Sequence, residues 1–178
     1  SIGAINTTDL LPTQLRQPNG DPYDVIVVTA VFGGVTANNR TLLQQAIQNR
    51  SAGAFFLFPD QCSSCAANVA DITIPFVNAA TGWGVTGGTN KTGAETVNLN
   101  TNSVAQASFS SFPTLAVNDY TDINNVPVNN ALYMRLGAPI PPANPNINDL
   151  SFRTHHAAAV IVPRSQSYNG NGACIFVI

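Results

Sequence analysis

The sequence predicts a mainly β fold: a single β-rich domain, sandwich or barrel-like, with one helix near residues 40–50, and an α+β arrangement as the alternative. Three observations lead there. Short apolar segments separated by turn residues recur along most of the chain. Only one stretch has convincing helical periodicity, and no fixed repeat points to a solenoid or propeller. At 178 residues the chain suits one domain spanning 1–178.

Residues 1–23 mix Thr, Asn, Gln, Pro and Gly around Leu10-Leu11 and read as an N-terminal arm that ends at the Asn19-Gly20-Asp21-Pro22 turn. Such an arm suits packing on a neighbouring chain. Asp24 to Phe32, DVIVVTAVF, is a near-continuous β-branched run and predicts a strand buried on both faces. In Arg40 to Arg50, Leu42, Leu43, Ala46 and Ile47 line one helical face, with Asn38 or Asn39 as N-cap and Gly53 beyond the end. Ala54 to Phe58 is a second apolar strand stopped by Pro59, which allows a parallel strand, crossover helix and strand unit.

Further strands are expected at Asp71 to Val77, Glu95 to Leu99, Thr114 to Val117, Ala131 to Leu136, Ala157 to Pro163 and Ala173 to Ile178. The last two flank Tyr168-Asn169-Gly170-Asn171-Gly172, whose Asn-Gly pairs supply the positive φ angles of a hairpin connection. Residues 137–148 carry Pro139, Pro141, Pro142 and Pro145 and read as a Pro-rich surface loop. The run NNRTLLQQAIQNRSAGAFFLFP resembles the amphipathic helix, Gly turn and apolar strand that open pectate-lyase-like β-helices. A β-helix requires many repeated coils, and the rest of the chain has no such period, so that family is not adopted.

Charged residues are 9% of the chain against about 25% in an average globular protein, while hydrophobic residues are 44%. That combination is incompatible with a charged disordered chain or a coiled coil. Seven dispersed basic residues and a net charge of −2 leave no cluster to neutralise phosphates, so no nucleic-acid partner is expected. No segment has the roughly 18 uninterrupted apolar residues of a membrane span, so no membrane partner is expected either. The sequence opens at Ser1, which fits Met removal or cleavage of a leader. Sequons at Asn6, Asn39, Asn49 and Asn90 allow glycosylation, although roughly three are expected by chance in a chain this rich in Asn, Ser and Thr.

Each candidate site has a plain structural reading beside it. Gly84 to Gly93, GVTGGTNKTG, lacks the glycines of a phosphate-binding loop, with Asn90 and Val85 in their places, and reads as a flexible surface loop. Cys62 and Cys65 have the spacing of a redox dithiol or half a zinc site, which Cys174 with His155 or His156 would complete; a local disulfide or structural cysteines is the simpler reading. Asp119 and Asp122 flank Tyr120 and suit either a carboxylate pair or the capping of a turn. Trp83, the only tryptophan, serves either as a platform for a sugar or partner or as core.

With no catalytic motif, few carboxylates and long polar loops, the expected function is a non-enzymatic structural assembly protein, such as a virus or phage capsid, decoration or tail component. It would make symmetric contacts with copies of itself or other structural proteins, in a virion or outside the cell. One alternative is a secreted carbohydrate-binding or adhesion module that holds a glycan through Trp83 and Tyr120. A second is a small hydrolase using Asp119 and Asp122, or a base at His155 or His156. No cofactor or metal is expected.

Overall fold

A computed structural model describes residues 10–30, 36–59, 73–118, 120–140, 142 and 151–178. The fold is mainly β: eleven strands among the described residues, most of them in one curled mixed sheet that forms a half-barrel, with few helices. The strands are β1 (Tyr23–Ala30), β2 (Ala52–Pro59), β3 (Thr86–Asn90), β4 (Ala94–Leu99), β5 (Thr114–Asn118) and β6 (Thr121–Asn124). They continue with β7 (Val126–Pro127), β8 (Ala131–Arg135), β9 (Arg153–Thr154), β10 (Ala157–Val162) and β11 (Cys174–Val177). The helices are α1 (Ala37–Gln48), α2 (Ile74–Thr81) and the single turn α3 (Gln106–Phe109).

The nine-stranded sheet runs β1-β2-β11-β10-β8-β4-β5, with β6 joined to β10 and β3 joined to β6, while β7 and β9 form a small second sheet. The strand, crossover helix and parallel strand unit that the sequence allows near the start is present as β1, α1 and β2, with Val25 opposite Ala54 and Val27 opposite Phe56. β11 lies parallel to β2 on one side and antiparallel to β10 on the other. All remaining pairs in the sheet are antiparallel.

α1 starts at a cap that the sequence reading placed two or three residues too late. Thr36 is the N-cap, and its hydroxyl accepts from the Asn39 N–H at 3.2 Å. Leu43, Ala46 and Ile47 form the buried stripe. Alternation along β2 then divides the sheet into two faces: Phe55 and Leu57 are buried beneath the helices, whereas Ala54 and Phe56 are half-buried and Phe58 is exposed on the other side. A second, smaller core of Val97, Leu99, Leu132, Tyr133, Ala159 and Ile161 packs on that other side, with Phe109 of α3 against it.

Four expectations need correction. The β-branched run from Asp24 is an edge strand among the described residues, with Val25 46% and Val27 57% exposed on one face and Ile26 and Val28 half-buried against the main core on the other. The segment read as a strand at Asp71 to Val77 is α2 from Ile74 onward; Phe76, Val77 and Ala80 share a buried face, and Pro75 sits in the first turn, where no backbone N–H is needed. Gly82 closes α2 with a left-handed φ of 69°. The supposed flexible loop at Gly84 to Gly93 contains β3, and Gly88 lies where an added Cβ would stand 2.8 Å from the Asp122 carbonyl oxygen. Glycine there lets β3 approach β6. Finally, the described part of the arm packs on its own chain: Leu15 is buried in the main core and the Leu10 N–H donates to Asn39 Oδ1 at 2.9 Å.

The terminal strands do pair, though their connection is longer than an Asn-Gly hairpin. A 3-10 segment, Arg164–Gly170, carries positive φ at Tyr168, Asn169 and Gly170 and returns the chain to β11. Of the Pro-rich loop, 137–140 and 142 are described and mostly exposed.

Asn100 ties the antiparallel part together. It is fully buried, and its Nδ2 donates to the carbonyls of Val128 at 2.7 Å and Ala131 at 2.8 Å. Asn100→Ala should lower stability by about 2 kcal/mol or more, because two buried acceptors lose their donor. Denaturant melts of variant and parent measure that loss.

Candidate functional site

Two features stand out once the sheet is assembled. The first is the face of β1, β2 and β11 away from the helices. Register places Val25 and Val27 of β1 beside Ala54 and Phe56 of β2, and Phe56 beside Phe176 of β11. Phe56 and Phe176 stack at 4.5 Å between ring centroids, and Phe58 continues the aromatic row at 6.3 Å from Phe56. Phe109 reaches Phe176 at 6.3 Å, but Val25, Val27 and Phe58 remain exposed. An apolar stripe therefore runs to the edge of the sheet uncovered at its β1 end.

The second feature is a polar cluster on β6, β8 and the approach to β10. Ala157 pairs with both Ile123 of β6 and Met134 of β8, and this brings the neighbouring residues Asp122, Arg135 and His156 together. Asp122 is 2% exposed. Its Oδ2 lies 3.5 Å from Arg135 Nη1 and 3.8 Å from His156 Nδ1, and its Oδ1 has no hydrogen-bond partner among the described residues. Burial raises the Asp122 carboxyl above the ordinary carboxylate range, against the opposing pull of Arg135, His156 and Lys91.

Arg135 Nη2 is 3.3 Å from His156 Nδ1, so that nitrogen faces both a guanidinium and a carboxylate. Bare, it accepts from Arg135; protonated, it donates toward Asp122. The His156 ring is about one-third exposed. A buried acid next to a histidine open to solvent is an arrangement able to hold and move a proton.

The residues singled out in the sequence fall into different places. Tyr120 is half-buried beside the cluster, and its hydroxyl donates to Glu95 Oε2 at 3.4 Å. Burial, with Asp122 and Glu95 nearby, raises that hydroxyl well above its usual value. Trp83 is 5% exposed and belongs to the main core, the commoner of its two expected fates, so its ring offers little surface to a sugar. Its carbonyl accepts from Arg153 Nη1 at 3.1 Å.

Asp119 lies outside the described residues, as do Cys62, Cys65 and Asn6. Cys174 is a half-buried free thiol on β11. His155 is exposed and lies, with His156, on the bend before β10. Among the sequons, Asn39 is buried and hydrogen-bonded, whereas Asn49 is exposed at the end of α1. Among the described residues no three His, Cys, Asp or Glu side chains gather closely enough to hold a metal, and no helix is long and apolar enough to cross a membrane.

Sequence reasoning marked Asp122 and His156 separately but missed Arg135 and their meeting. The signal was scarcity: in a chain with 9% charged residues, a buried charge requires an opposite charge near it. The chain matches no protein-family model, no curated protein and no solved structure.

The raised Asp122 carboxyl has a definite pH signature. Its folded form holds a proton at pH values where the unfolded chain has released it, so its contribution favours folding below the ordinary carboxylate range and is lost as pH rises through the raised value. Asp122→Asn should therefore be more stable than the parent at pH 7, and the advantage should shrink toward pH 4. Paired thermal melts across that range test the sign.

Proposed function

We propose that this protein is a structural assembly component that makes symmetric contacts with copies of itself, such as a capsid, decoration or tail protein of a virus or phage. The observation that supports this reading is the uncovered apolar stripe of Val25, Val27 and Phe58, continuous with the stacked Phe56 and Phe176. Exposed β-branched and aromatic side chains in one row cost solubility in an isolated chain and favour association when covered. Low charge acts in the same direction, because few ions would be desolvated on assembly. A particle assembled outside a cell or as a virion suits such a surface.

A second reading, a small hydrolase, draws on the placement of Asp122 beside His156. Here Asp122 would orient the imidazole and His156 would accept a proton from water or a nucleophile. Under this reading, Asp122→Asn abolishes turnover of any substrate the protein hydrolyses.

The native mass of the protein isolated from its source separates the two. Light scattering with electron microscopy should show a large symmetric particle if the assembly reading is right. A monodisperse chain of 18.7 kDa would sink it.

A further inference from the structure

We infer that β1 is a self-association edge, where two copies pair their β1 strands antiparallel about a two-fold axis and join their sheets. This rests on the assembly reading and names its contact and symmetry. The outer edge of β1 has no ladder partner among the described strands, so its outward N–H and C=O groups are open to another strand. Three of the usual protections are missing from the strand: Tyr23–Ala30 contains no lysine or proline, and its pairing with β2 runs without a bulge. Asp24 is the only charge in the strand.

A second copy of the same strand complements this edge. With the axis at Ile26, Val25 stands opposite Val27 of the other copy, Ile26 opposite Ile26 and Tyr23 opposite Thr29. Asp24 then faces Val28, so no like charges oppose each other. The other strands that end the sheet, β5 and β3, have five residues each against eight in β1 and would leave part of β1 unpaired in a head-to-tail contact. Eight residues span about 27 Å. A strand with its side chains is about 10 Å thick, the spacing of packed sheets, so pairing covers on the order of 500 Å² summed over both copies, the size of a weak and transient contact. The dimer should therefore dissociate on dilution.

Sedimentation of the full chain over a range of concentrations tests this, alongside Val27→Lys and Ala116→Lys, the latter on β5. Both sites are exposed, and thermal melts confirm that each variant folds. The expected result is a dimer of the 18.7 kDa chain, weakened about ten-fold or more by Val27→Lys and unchanged by Ala116→Lys. An assembly that Val27→Lys leaves intact overturns the β1 contact while the assembly reading stands. Disruption by both variants overturns the two-fold in favour of head-to-tail contacts. A wild-type monomer at all concentrations overturns β1 pairing, and the native mass then decides separately whether assembly survives.

Discussion

The position of β11 is the constraint on which the rest of the structure depends. Residues from the end of the chain insert between β2 and β10, parallel to one and antiparallel to the other. This strand makes one sheet out of a parallel β1-α1-β2 unit and an antiparallel remainder. Ile175 and Val177 complete the core beneath α1 and α2, and Phe176 on the opposite face carries the aromatic stack. Both sides of the sheet therefore depend on a contact between segments more than 100 residues apart, a non-local pairing whose loop-closure entropy opposes early formation.

The two candidate features follow from how that sheet ends. On the β1 side the helices cover one face and leave the other apolar, so an exposed stripe arises from a strand whose composition would suit a sheet interior. On the β6 and β8 side, the bifurcation at Ala157 draws a buried carboxylate against Arg135 and His156. In a protein with so few charges this cluster is costly, since Asp122 Oδ1 has no hydrogen bond among the described residues and desolvation outweighs the nearby positive charges. The apolar stripe and the ion cluster are separate in sequence and in chemistry.

Local patterning in the sequence was informative where one interaction dominated. The spacing of Leu43, Ala46 and Ile47 located α1, compact apolar runs located β1, β2 and β10, and turn residues separated β4, β5 and β8. It misled at Asp71 to Val77, where Ile72, Ile74 and Phe76 alternate with Thr73 and Pro75 over a window too short to exclude a helix, and the helix from Ile74 is settled by packing of Phe76, Val77 and Ala80 into the core. It misled again at β3, because glycines that signal a loop are the same residues that permit a close strand contact.

By itself, then, the sequence determined the mainly β class, the parallel opening unit, the principal helix and the low-charge surface, all of which follow from side-chain periodicity and composition. Only the tertiary structure decided that β1 is an edge, that Trp83 is core, and that Asp122, Arg135 and His156 meet. Those outcomes depend on which strands become neighbours, and strand order is set by the summed burial of the whole sheet, which no local window of residues contains.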